Sequence, residues 1–138
     1  MKRAVGHRAF LWCGLLGGSL IGCDTVDDRP ASWSYVHSAI LRPSCATAAC
    51  HSELGSQAGL DLSTPAAAYL FLTGRVCGAP ALPGEPPGNF VSPGHPEASQ
   101  LMYMLRGDQI EIMPPDVPLP DVEIAIVERW ILEGATCE

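Results

Sequence analysis

The sequence predicts an all-α domain of four short helices joined by long irregular connections. Three observations predict it. Apolar residues recur at helical spacing in four separate segments, almost no segment alternates apolar and polar residues as a half-buried strand would, and glycine and proline, 14 and 13 of 138 residues, gather between the helical segments.

The first helix opens at Ser32, placed to cap, and carries Trp33, Val36, Ile40 and Leu41 as an apolar stripe; Pro43 is expected to end it. His37 falls one position from that stripe and is expected to border it. Ser63 or Thr64 followed by Pro65 opens a second helix over 66–73, with Tyr69, Leu70 and Leu72 as expected core contacts. The stretch 78–94 holds Pro80, Pro83, Pro86, Pro87 and Pro93 with several glycines, which excludes regular structure and predicts a long surface loop. Pro96 and Glu97 start a third helix through Leu101, Met104 and Leu105, ended by Gly107. Residues 110–115 are expected to be extended, because residues before proline avoid the helical region. The fourth helix spans about 120–133, with Asp121 and Glu123 at its positive end, Gly134 past its tail, and Val122, Ile126, Val127, Trp130 and Ile131 as its buried face. Trp130 is placed to touch the first helix near Trp33. So lean a core in so loop-rich a chain suggests that a bound apolar group completes it, with a disulfide alone as the alternative.

Residues 1–22 read as a secretion signal: Lys2, Arg3 and Arg8 precede an apolar stretch from Phe10 to Ile21. That stretch is shorter than the roughly 20 residues a membrane-spanning helix needs. It ends in Leu20-Ile21-Gly22-Cys23, which resembles a bacterial lipobox; the resemblance implies lipid on Cys23 and cleavage just before it. Residues 23–31 would then be a polar tether and 32–138 one domain, anchored by lipid on the periplasmic side of the cell envelope, with inner or outer membrane left open. Without the signal the chain has five arginines, no lysine and fifteen acidic residues, a formal net charge of −10 with histidine neutral. Such a balance argues against nucleic acid, whose phosphates demand a basic face, and against electrostatic adhesion to anionic lipid.

Six cysteines in a short exported chain each need an occupation, since free thiols seldom persist in an oxidising compartment. Cys13 leaves with the signal and Cys23 takes lipid. Cys45 and Cys50 stand beside His51, while Cys77 and Cys137 are isolated. Two thiols followed at once by an imidazole meet the demands of covalent haem attachment, in which the thiols bind the porphyrin edge and the imidazole meets iron. The common spacing is C-x-x-C-H. Here Ala46, Thr47, Ala48 and Ala49 separate the cysteines, all small enough to bulge outward. The simplest assignment is two thioethers and a Cys77–Cys137 disulfide, although four cysteines permit three pairings.

The ordered set Trp33 with Ile40-Leu41, Pro43-Ser44-Cys45-Ala46 through Cys50-His51, Gly59-Leu60-Asp61-Leu62-Ser63, Pro93-Gly94 with Pro96-Glu97-Ala98-Ser99, Met113-Pro114-Pro115, and Glu123-Ile124 with Trp130-Ile131 and Gly134-Ala135 resembles small cytochrome-c-like domains of envelope lipoproteins in Gram-negative bacteria. The resemblance covers about 32–135. It implies a class I cytochrome c fold around one haem c, with first and last helices crossing. It further implies His51 as one iron ligand, Met113 on a proline-stiffened loop as the other, and electron transfer with redox protein partners rather than catalysis.

Other readings of the same residues stand beside this one. Cys45 and Cys50 also read as a disulfide across a small loop in a haem-free binding or structural lipoprotein, or as part of a zinc site, although no fourth ligand is obvious. A haem enzyme or sensor with an open axial position is a further alternative. Met102 and Met104 compete with Met113, but core packing accounts better for each. His95 precedes a helix-starting proline and is expected to be exposed. Arg75 and Arg106 are the candidate partners for haem propionates. No paired carboxylates suggest hydrolysis, and no phosphate-binding glycine loop is present.

Overall fold

The computed structural model describes residues 27–79 and 90–138. The expected signal, Cys13 and Cys23 lie outside the described residues, as does the proline-rich stretch 80–89. Among the described residues the chain is helical and contains no strand.

Helix α1 (33–45) begins as predicted, with the Ser32 hydroxyl accepting the Tyr35 N–H at 3.4 Å. It does not end at Pro43. An α turn Trp33–Tyr35 passes into a π-helical stretch Val36–Leu41 and returns to α over Arg42–Cys45. Arg42 N–H reaches back five residues to His37 O, and Pro43, which has no N–H to pair, falls in the first turn of the returning α segment. The buried face comprises Trp33, Val36, His37, Ile40, Leu41 and Cys45. His37 is therefore inside the stripe and not at its border. It lies four residues after Trp33 and four before Leu41, and its ring finds a carbonyl partner in the interior.

Helix α2 (Pro65–Thr73) is capped by Thr64, whose hydroxyl accepts Ala67 N–H at 3.3 Å, and it ends at Gly74 in the left-handed region, φ 72°. Ala68, Tyr69, Leu72 and Thr73 face inward, whereas Leu70, two residues from Leu72 and so on the opposite side, is exposed. The expected third helix is two pieces: a 3₁₀ turn Pro96–Ala98, then helix α3 (Gln100–Arg106). Ser99 breaks them with extended backbone, and its buried hydroxyl donates to His95 O at 2.9 Å and accepts Ser92 N–H at 2.9 Å. Helix α4 (Asp121–Leu132) buries Ile124, Ile126, Val127, Trp130 and Ile131. Val122 extends the Ile126–Trp130 edge one turn beyond the packed region and is exposed; Ile124 takes the expected place.

Trp33 joins α1 to α2 and α4. Its ring lies 5.0 Å from Trp130 and 5.4 Å from Tyr69, the latter edge-on, and its Nε1 donates to Pro65 O at 3.2 Å. Residues 90–94 then thread between helices: Val91 N–H bonds Leu72 O at 2.9 Å, Phe90 O accepts Leu101 N–H at 3.0 Å, and Gly94 N–H bonds Ile131 O at 2.7 Å. The C-terminus returns to this core through Tyr69 Oη to Ala135 O at 2.9 Å and Trp130 Nε1 to Thr136 O at 2.8 Å.

Those bonds bring Cys137 to Cys77, and the two form a disulfide with Cα atoms 5.5 Å apart across 60 residues of sequence. Closing a loop of that length restricts the unfolded chain by about 4 kcal/mol in the loop-entropy account. Cys77→Ser with Cys137→Ser is therefore expected to lower unfolding stability by about 2–4 kcal/mol, read as a lower urea midpoint with the helical signal of the native state retained. An unchanged midpoint contradicts this.

Candidate functional site

The C-terminal end of α1 delivers Cys45 to an apolar groove of about 390 Å³ lined by Cys45, Cys50, His51, Gln57, Ala58 and the Met113–Pro115 segment. A second, narrower recess of about 140 Å³ shares Cys45, His51, Ala58 and Met113 and continues between Leu62, Phe71, Phe90 and Met104. No charged side chain lines either part. Phe71 and Phe90 stack at 5.3 Å to build one wall. The structure thus gathers the four residues singled out from the sequence, Cys45, Cys50, His51 and Met113, around one apolar space.

Three of the four residues between the cysteines turn outward, while Ala46 packs against the core. Cys50 N–H bonds Thr47 O at 3.0 Å and His51 N–H bonds Cys45 O at 3.0 Å, so the loop closes on itself while Thr47, Ala48 and Ala49 face solvent. Gly55 packs directly on this turn: a Cβ there would stand 2.9 Å from Ala48 O and 3.0 Å from the Ala49 carbonyl carbon. Behind it Ser56 and Ala58 adopt left-handed backbone at φ 41° and 56°, each costing about 1 kcal/mol. Gln57 N–H to Cys50 O at 3.1 Å ties this strained segment to the second cysteine.

That segment orients the imidazole. His51 Nδ1 lies 3.1 Å from Gln57 O, and a carbonyl can only accept, so Nδ1 is the donor and, in the neutral ring, Nε2 keeps its lone pair. Residues 61–63 brace the backbone behind it. Leu62 N–H donates to His51 O at 2.8 Å, Glu53 N–H to Ser63 Oγ at 2.9 Å, and Ser63 N–H to Asp61 Oδ1 at 2.8 Å. The Ser63 bonds hold the Asp61 carboxyl below its usual range. On the opposite wall, Gly107 reverses the chain after α3 at φ 69°, and Met113 N–H bonds Met104 O at 2.8 Å. Ile112 Cβ is 3.2 Å from where a Gly107 Cβ would sit, so this glycine also permits the close return that carries Met113 to the groove. The Met113–Pro114 peptide is cis.

Cys45 and Cys50 are both free thiols in this structure. Burial, with a smaller contribution from Cys50, pushes the Cys45 thiol up to about 11, so it stays protonated at neutral pH. Among the described residues no three His, Cys, Asp or Glu side chains converge to hold a metal ion. Met102 is buried in the core, but Met104 forms part of the groove wall instead. His95 is exposed and pairs with Glu97 at 3.1 Å. Arg106 pairs with Glu128 at 2.8 Å, and neither it nor Arg75 lines the groove. Gln57 and Gly55 were not singled out in the sequence, and Leu62 entered only as part of the Gly59–Ser63 run, without its main-chain role. Their contribution is mostly main-chain hydrogen bonding or the lack of a side chain, and neither leaves a residue-type signature.

Gly55→Ala is expected to cost about 1–3 kcal/mol, as overpacking does, and to shift the Cys50 and His51 amide resonances; an unperturbed spectrum contradicts the packing. Because the Asp61 carboxyl is depressed in the folded chain from its ordinary 3.8, the stability it gives is full above that value and is lost as pH falls through the lowered one. Asp61→Asn should flatten this part of the acid-unfolding profile, measured by urea titration at stepped pH. The chain matches no family model, no curated protein and no solved structure, so the chemistry of the groove stands on its own residues.

Proposed function

We propose that this chain is a single-haem c-type cytochrome of the cell envelope, acting as an electron carrier. The observation that carries the reading is the His51 imidazole. Its Nδ1–H is committed to the Gln57 carbonyl, which leaves Nε2 as the donor atom, the arrangement usual for a histidine that binds metal. It stands between two free thiols and a thioether on one uncharged groove.

The donor set fits haem c. Cys45 and Cys50 would hold the porphyrin edge, each thiol adding its S–H across a vinyl group with nothing lost. His51 would bind the iron through Nε2, and Met113 would supply the second axial ligand. When bound, the haem would supply an iron that accepts and releases one electron. The apolar wall of Leu62, Phe71, Leu72, Phe90 and Leu105 would exclude water from the ring. The contact between first and last helices at Trp33 and Trp130 supports a class I cytochrome-c-like fold.

Lipid on Cys23 would hold the domain on the periplasmic side of the envelope, close to redox protein partners. The tether meets the domain through Arg129, whose guanidinium donates to the Asp27 carbonyl at 3.3 Å and to the Arg29 carbonyl. Asp27 is itself held down to about 2 by its bonds to Arg29.

Expression of the whole chain in a host with a haem-attachment system should give haem that survives acid-acetone extraction and a mass increase of one haem. Protein without covalent haem, from a host able to process the CX4CH spacing, overturns the reading. Met113→Ala should then open one axial position, seen as carbon monoxide binding to the reduced protein and loss of the low-spin reduced spectrum. If neither changes, Met113 is not the ligand, and Met104, on the same groove wall, is the next to substitute.

A further inference from the structure

We infer that His37, a buried residue of α1, is a positioning residue for the axial ligand His51 and acts through the Leu62 peptide. The inference rests on the haem reading of the site. His37 is 4% exposed, and its ring lies 5.6 Å from Trp33 in a stripe where leucine or phenylalanine would pack with no polar group to satisfy. Burying an imidazole there is costly unless it is hydrogen-bonded. Its Nε2 donates to Leu62 O at 3.0 Å, and Leu62 N–H donates to His51 O at 2.8 Å. One peptide unit away from the ligand's own carbonyl, the chain is thus pinned to the first helix.

The same residue, Leu62, is buried and lines the groove. Its main chain fixes His51 while its side chain shields the space the imidazole faces. The parallel bond from Glu53 N–H to Ser63 Oγ holds only the outer edge of this brace. Without His37, the buried Leu62 carbonyl loses its partner and the segment 60–63 is free to move off α1 and admit water. Water in the groove favours the more highly charged oxidised iron centre, so the midpoint potential falls.

The test uses the whole chain, processed and loaded with haem, and reads the midpoint potential by spectroelectrochemistry. His37→Leu is expected to retain covalent haem and to shift the oxidised-to-reduced balance about tenfold toward oxidised, at the low end of the effect of losing a partner behind a metal ligand. For one electron that is about 59 mV downward. His37→Gln, whose amide keeps a donor with comparable reach, restores the potential, whereas His37→Asn, with the same amide on a shorter stem, does not. Ile126→Ala, which weakens the core away from the groove, leaves the potential unchanged. An unaltered potential in His37→Leu, with stability alone reduced, overturns the inference and leaves the haem reading intact. Should His37→Leu not fold, equal potentials in the Gln and Asn variants overturn it. Unmodified protein without covalent haem overturns both.

Discussion

Trp33 sits where three helices meet, and the rest of the structure depends on that packing. Its indole lies against Trp130 of α4 and Tyr69 of α2, and its N–H is spent on the first carbonyl of α2. Aromatic pairs of this kind contribute about 0.5–1.5 kcal/mol each beyond the area they bury. More important is what the contact locates. Trp33 is at the start of α1 and Cys45 at its end, so fixing one end of the helix on α4 determines where the other presents its thiol.

Between those ends the helix changes pitch. A π-helical stretch costs hydrogen-bond quality, yet here it lets the chain carry Pro43 without stopping and keeps Cys45 on the buried side. The main chain then folds back twice on the Cys45–His51 loop: at Gln57, which orients the His51 ring, and at Leu62, which holds its backbone. Left-handed backbone at Ser56 and Ala58 is the cost of bringing the Gln57 carbonyl to the ring. Strain of this sort persists only where surrounding bonds over-determine it, and here those bonds converge on one imidazole.

Charge is distributed to match. Acidic residues outnumber basic ones nearly two to one over the whole chain, yet none lines the groove. An uncharged, largely apolar cleft inside an acidic surface favours a neutral apolar group over an anion. Burial beside it also keeps the Cys45 thiol protonated at neutral pH, which protects it from oxidation.

The helices were legible in the sequence because their signals are local: hydroxyl caps at Ser32 and Thr64, proline in the first turn of α2, and glycine after α3 are read within a few residues. The candidate site was legible as a set of residue types, since thiols, imidazole and thioether announce their chemistry by name. Inward and outward faces were less so. Leu70 and Val122 carry the right hydrophobicity on the wrong side or end of a helix, and His37 carries a polar ring on the right one. By itself the sequence determined which chemistries were available and roughly where helices begin. Only the tertiary structure decided that Met113 meets Cys45 and His51 on one groove, that Gln57 sets the imidazole, and that Pro43 stays within a helix. Those outcomes depend on main-chain hydrogen bonds and on packing between residues distant in sequence, and neither is written in the identity of any one side chain.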